Sequence, residues 1–514
     1  MTPACDGDTT IDFTGTGGEN NTTSSSGTGA GGGTGAAGGT GAASSTGAGG
    51  DGGAGGATTS GTGGMACVPK PETCLTTADE DCDGTECSFW GRSFQGLEGQ
   101  WPKGIAVTSA GDVYFSAYLG FGDATFEFGG NTFTKPRAGV AKLGPANDEQ
   151  WIRLLPSVGL IAATPEGNVI VEARLSEPID IDGTVITPSP TGFSTAILCF
   201  APDGTLIWHR LMVANKNLNV TGLAAGPGDR LAMGGNADAS VSYDGQNIVP
   251  GTMGDFLLAI DTTTGALVWK HFFEATDYLR FIYALAIAPD GIVHVGGFYQ
   301  GAPDFGGGPL PAAGDLDGFL AQFDSQGNHL SSVRFCDGGC GAYKLVPVSG
   351  GDVIVSGFFD TPTAFGTDVF VPTGQDTFVA RLSSQGEVVW IHPYDPKNNG
   401  IRTPDIVVNE NEEVTLTFGM KDAIDLGGGP LAPIGGSDLL VAKLGPSGEH
   451  MWSRRFGAPN TFIIPHEIYV ALHPGGEATL ALSYAGAVDF GAGALPITPA
   501  PDGSNDVALV RLAP

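Results

Sequence analysis

Residues 438–457, DLLVAKLGPSGEHMWSRRFG, read as strand, tight turn, strand, with a Trp and a Phe near the end. The apolar first run, the Gly-Pro-Ser-Gly break and the second run each carry a β signal. Versions recur along the chain: AGVAKLGPANDEQWIRLL at 138–155, GDFLLAIDTTTGALVWKHFF at 254–273, DGFLAQFDSQGNHLSSVRF at 317–335 and DTFVARLSSQGEVVWIHPY at 376–394. A shortened copy, FWGRSFQG, stands at 89–96.

The Trp of this unit marks a period. Trp90, Trp151, Trp208, Trp269, the Trp-less Ser331, Trp390 and Trp452 are separated by 61, 57, 61, 62, 59 and 62 residues. Fixed-period self-similarity is the mark of a repeat architecture. Upstream of each third strand lies an apolar first strand, as in GIAVT at 104–108 and GLIAAT at 159–164. A Gly/Pro/Asp turn (SAGD, PEGN, GPGD, APDG, SGGD, HPGG) joins it to a second strand, such as DVYFSAY or DVIVSGF. An excursion of about twenty residues then leads to the third strand.

Two positions of the third strand are apolar in every copy: Val140, Ile197, Leu257, Leu320, Val379, Val441 and Leu509, and three residues on Leu143, Phe200, Ile260, Phe323, Leu382, Leu444 and Leu512. Residues three apart face opposite sides of a strand. A sheet apolar on both faces must stack between like sheets, as blades do around an axis. The last unit ends in its third strand, whereas the unattached Trp strand at 89–94 precedes the first. Circular closure accounts for both, the N-terminal strand completing the last blade and removing an open edge. The expected fold is therefore all-β: a seven-bladed propeller of four-stranded antiparallel blades over residues 88–514.

These strings resemble the bacterial β-propeller repeat called SBBP, with its D-x-F-V-A-K-L, G-x-x-x-W and apolar G-x-V-Y-V-x-G elements. The resemblance implies an extracytoplasmic propeller and brings no catalytic motif. AIDTTTGALVW at 259–269 also resembles the tryptophan-docking repeat of quinoprotein propellers. The adjacent Cys-Cys pair of those dehydrogenases is absent, so quinone-dependent oxidation is not expected.

Composition sets further bounds. The chain has 514 residues, 84 Gly and 34 Pro, and a net charge of -32. Such a field repels nucleic-acid phosphates and anionic lipid, so no nucleic-acid partner is expected. No apolar run is long enough for a membrane helix, and a membrane link is expected only through a lipid anchor. Residues 1–64 are dominated by Gly, Thr, Ser and Ala from residue 14 on, and read as a disordered tether spanning roughly 40 Å. Ala4-Cys5 reads as the remnant of a lipoprotein cleavage site, making Cys5 the lipidation candidate, although Pro3 departs from that pattern.

Residues 65–87 form a small Cys-rich segment. Cys67, Cys74, Cys82 and Cys87 suit two disulfides in one of three pairings, and this structural reading is preferred. Asp79, Asp81 and Asp83 match the D-x-D-x-D-G opening of a calcium loop, but its twelfth position is Trp90 instead of a bidentate Glu. Calcium is the one cofactor the sequence raises. The segment also resembles a metal-binding repeat of secreted bacterial proteins, through its PE-x-C and D-x-D-C-D-G spacing.

Catalytic signatures are missing: there is no H-E-x-x-H, no G-x-S-x-G and no phosphate-binding Gly loop. Cys336 and Cys340, in CDGGC, suit a small local bridge. Cys199 reads as a buried small hydrophobe. His209, His271, His329, His392 and His450 lie in or beside fourth strands and are expected at outer, solvated positions. Asp182, Asp244, Asp304, Asp425 and Asp489 recur in the excursions and are read as caps of their own Gly turns. The expected protein is an extracytoplasmic monomer that binds a protein or glycan on its loop face. The alternatives are a propeller lyase or hydrolase with carboxylates in the funnel, and a purely structural surface protein.

Overall fold

The Gly/Asp turns and the alternating apolar strands build seven antiparallel sheets in the computed structural model, which describes residues 90–96, 99–274, 280–311, 313–395, 404–490, 494–495 and 505–512. The expected tether, Cys5, the four cysteines from Cys67 to Cys87 and the Asp79, Asp81 and Asp83 loop lie outside these residues. Blade 6 shows the plan: Asp405–Val408, Val414–Met420, Asp438–Leu444 and His450–Phe456 pair in that order from the channel outward. Its middle two strands are buried along their whole length, while the outer strand is mostly half-exposed. All fourteen apolar third-strand residues named above are buried. Burial on both faces is what stacking between neighbouring blades requires.

Closure occurs as expected. Trp90–Phe94 pairs antiparallel with Asp506–Leu512, from Trp90 opposite Arg511 to Phe94 opposite Val507, and completes blade 7 with Phe462–Leu472 and Ala478–Ala485. Phe94 then packs on blade 1, its ring 5.0 Å from Phe115 and 5.9 Å from Phe128. The chain's first and last described strands thus lie in one sheet.

The tryptophans explain how blades lock. Trp151, Trp208, Trp269 and Trp390 each donate their indole N–H to a backbone carbonyl in the third-to-fourth-strand turn of the next blade: Pro202, Thr262, Ser325 and Pro446, at 2.8–3.1 Å. A Gly of that turn lies under the ring. A Cβ on Gly204, Gly265, Gly327 or Gly448 would come within 2.6–2.9 Å of the indole. Docking of this kind therefore recurs around the ring and is not confined to the unit at 259–269.

The excursions hold more order than expected. Five are small hairpins, such as Thr125–Phe128 with Asn131–Thr134, and two are closed by the bridges Asp304 to Pro309 and Asp489 to Ala494. In blade 3 the hairpin Val241–Tyr243 with Gln246–Val249 pairs with the outer strand of blade 2, Leu206–Ala214, extending that sheet to six strands. That outer strand spans nine residues, and the hairpin covers part of an edge that would otherwise be open. Aromatic residues fasten other excursions to the preceding blade: Phe305 lies 5.1 Å from Phe273, Phe365 6.4 Å from Phe335, and Phe490 5.8 Å from Phe456.

Candidate functional site

Antiparallel connectivity divides the ring into two sides. One carries the tight turns between first and second and between third and fourth strands. The other carries the excursions and every passage from one blade to the next. Each of the seven first turns on the turn side holds a carboxylate, among them Asp112, Glu166, Asp229, Asp290, Asp352, Glu412 and Glu477, and none holds a Lys or Arg. Several of these carboxylates are tied to the ends of third strands: Asp112 to Lys142 at 2.9 Å, Asp352 and Glu412 to Arg381 at 2.9 and 2.7 Å, and Glu413 to Lys443 at 2.8 Å. A cavity of about 410 Å³ opens among the first turns of blades 1, 6 and 7, beside Thr108, Ser109, Asn409, Glu410 and His473. Burial, with Arg511 adding to it, pushes the His473 imidazole down to about 4. It shares a 2.7 Å hydrogen bond with Thr479. Such a histidine is a neutral structural partner at ordinary pH.

In five blades an exposed apolar side chain (Ile207, Val268, Leu330, Val389 or Met451) stands on the outer strand beside the third-to-fourth-strand turn, and such side chains are more numerous on the excursion side. Among the described residues, Phe121, Val185, Phe193, Met253, Tyr343, Val369, Val371, Ile434 and Phe462 are exposed there, Val371 by 72%. At the channel mouth, five aromatic side chains of blades 4 and 5 join into one cluster. Phe281 lies 5.2 Å from Phe298, Tyr283 5.1 Å from Tyr343, and Tyr343 5.3 Å from Phe358. Phe298 and Phe358 are buried beneath it, and Tyr343 is the most open member. Around the same mouth, blades 2 and 3 present a hydrogen-bonded polar array. Arg174 donates to Asn219 Oδ1 at 3.2 Å, Asn219 to Asn236 Oδ1 at 3.2 Å, and Asn217 to Asp238 at 2.8 Å.

Contacts along the channel wall cross every blade boundary. Ser116 donates to Gly159 O, Arg174 contacts Asn219, Thr221 donates to Ile282 O, Tyr283 packs on Tyr343, Lys344 pairs with Asp405, Asp405 accepts from Val470 N, and Ser483 donates to Gln100 O. Glu172 is buried in this wall. Desolvation raises its carboxyl above the usual range, opposed by Arg174 and by a hydrogen bond from the Leu160 backbone.

The sequence-predicted residues fall as follows. Cys336 and Cys340 form a disulfide across the passage from blade 4 to blade 5. Cys199 is buried and free, its thiol pushed up to about 12 mainly by burial. The caps at Asp304 and Asp425 are present: Oδ1 of each accepts from two glycine N–H groups at 2.7–3.0 Å. At Asp182 and Asp244 the reading needs correction. Both sit inside the turn at positive φ, Asp180 caps Gly183 instead, and Asp182 and Asp244 pair with Arg153 and Arg210 of the preceding blade. The fourth-strand histidines are half-buried instead of solvated. His329 and His450 lie against the glycines at 306–307 and 427–428, where an added Cβ would meet the imidazole. His271 Nε2 is 2.7 Å from Gly327 O. Among the described residues no group of three or more His, Cys, Asp or Glu side chains could hold a metal ion.

No family model and no curated protein matches the chain. Among solved structures, the fold is similar to a Bacteroides caccae protein of unknown function (12% identity, 62% of this chain and 89% of that one, TM-score 0.32). It is also similar to quinohemoprotein alcohol dehydrogenase from Comamonas testosteroni (9% identity, 82% and 76%, TM-score 0.37) and to virginiamycin B lyase from Staphylococcus aureus (11% identity, 64% and 96%, TM-score 0.29). Values this low carry nothing about activity.

Proposed function

We propose that this propeller is an extracytoplasmic binding module that takes a protein or glycan ligand on its excursion side. The observation that carries the reading is the grouping there of exposed apolar side chains with the aromatic cluster at the channel mouth. Large exposed apolar groups on loops of a rigid scaffold are a recognition feature. The Cys336–Cys340 disulfide supports an oxidising compartment, and ring closure supports a monomer. The rival reading, an enzyme with carboxylates in the funnel, has Glu172 as its supporting group. That carboxyl is engaged by the Leu160 backbone within the wall, which favours a structural role.

The test is a screen of the full chain against glycan arrays and panels of purified extracellular proteins. A ligand lost on Val371→Asp with Ile434→Asp, but retained on Glu166→Gln with Asp290→Asn on the turn side, is the expected result. No ligand on any panel, or loss only with the turn-side pair, refutes the reading.

A further inference from the structure

The innermost strands share a defect that the repeat did not require. In blade 1 the pairing of Trp101–Val107 with Val113–Tyr118 slips by one residue at Lys103. The same slip falls at Thr221 in blade 3, Tyr283 in blade 4 and Tyr343 in blade 5. In blade 2, Gly159 and Leu160 both bond to the backbone of Glu172, so Gly159 holds the equivalent place. A Cβ there would lie 1.7 Å from Glu172 Oε2, so the glutamate side chain occupies the volume that the bulged residue leaves vacant. Five neighbouring blades therefore carry a β-bulge at one level of the channel wall. Bulges set one residue out of the ladder register and re-aim its side chain. Here those residues are Lys103, Thr221, Tyr283 and Tyr343; the first three are half-buried and Tyr343 is exposed, though each lies in an innermost strand.

We infer that this bulge ring, with the aromatic cluster of blades 4 and 5 and the carboxamide array of blades 2 and 3, is a binding site for a neutral oligosaccharide, an inference that rests on the excursion side being the binding side. A pyranose ring has an apolar C–H face and an edge of hydroxyls that both donate and accept. Tyr343 and Tyr283 supply aromatic surface for the first, backed by the buried Phe298 and Phe358. Planar amides and a guanidinium suit the second. Asn219 and Asn236 each retain hydrogen-bonding capacity after holding one another and Arg174 in place. Because that array is already cross-bonded, little side-chain freedom is lost on binding.

Charge points to a neutral sugar. The protein's net charge of -32 disfavours uronates at long range. Within the mouth, Lys103 and Arg174 disfavour a cationic amino sugar, and Lys344 is already paired with Asp405 at 2.8 Å. A protein ligand would cover about 800 Å² of this face, far more than two tyrosines framed by amides.

The experiment is an array of neutral, uronate and amino-sugar oligosaccharides probed with the full chain, then calorimetric titration of cello-, chito- and manno-hexaose. Binding to a neutral member with an affinity that falls about tenfold or more in Tyr343→Ala and in Asn219→Ala, but about threefold or less in Tyr343→Phe, is expected. Melting temperature and gel filtration establish that each variant folds. Transfer of saturation from aromatic ring protons to sugar protons in the wild-type chain reads the same contact without substitution. Three results overturn the inference: no neutral oligosaccharide bound, binding of charged sugars only, or a neutral sugar bound unchanged by Tyr343→Ala. A ligand lost with Val371→Asp and Ile434→Asp but indifferent to Tyr343→Ala removes this site and leaves the excursion-side reading standing.

Discussion

The two sides of the ring are built from the same seven repeats and differ in how regular their connections are. On the turn side the connections are short, similar in length and acidic, and several of their carboxylates are bound to third-strand cations or to neighbouring backbone. On the excursion side the connections are longer, differ from blade to blade, and leave large apolar groups in water. Repetition holds where blades must interlock and relaxes where they face outward. The first side maintains the fold, and the second is the side proposed to bind.

That contrast predicts which changes cost stability and which cost only binding. The largest loss should follow deletion of residues 88–96. Without Trp90–Phe94, blade 7 keeps an open edge along Asp506–Leu512, and blade 1 loses Phe94 from its core. Expected outcomes are a melting temperature lower by about 5 °C or more, the shift that several kcal/mol produces in a domain of this size, and oligomers in light scattering. A monomer with an unchanged melting point would break the closure model. Trp208→Ala comes next. Its ring is buried and its N–H bonds Thr262 O, so urea denaturation should report a loss of about 3–5 kcal/mol.

Acid should act through His294 and His473, both buried and both pushed down to about 4, mainly by burial. Their folded forms bind fewer protons than the unfolded chain between pH 4 and 6.5. The stability they contribute is therefore fully present above pH 6.5 and is lost as pH falls toward 4, on the order of 3 kcal/mol for each. In a His473→Gln variant the melting temperature should fall less steeply across that window, and an unchanged slope would show that the imidazole is not shielded. Cys336→Ser with Cys340→Ser should cost about 2 kcal/mol, as expected for a short disulfide loop. Reductant should then have no further effect on that variant's melting. The smallest effect should come from Val371→Ser at the tip of an excursion. Stability should stay within about 0.5 kcal/mol, while ligand capture drops. A stability loss as large as that of Trp208→Ala would erase the distinction between the sides.

Much of the ring was legible in the sequence because its signals repeat. The Trp row, the doubly apolar third strands and the stray strand ending at Phe94 each recur or stand out against a recurrence. The candidate site was not legible, for physical reasons. A bulge such as that at Tyr283 depends on the register of two strands, and nothing in YALAI marks where the register shifts. The role of Phe305 or Phe490 as an excursion anchor depends on the end of the preceding blade, reached only after folding. A signal was present in the apolar residue that follows the capping Asp in D-F-G and D-L-G. The fourth-strand histidines were misplaced because an edge strand was taken to face water, whereas the glycines of the same blade's excursion leave room for His329 and His450 to be covered.

Closure also sets where the two exits of the described chain lie. Third strands finish and fourth strands begin on the turn side, so Leu512 and Trp90 both lie there, side by side in blade 7. Both exits therefore open on the side whose turns carry the carboxylates, leaving the varied, aromatic side uninterrupted by either.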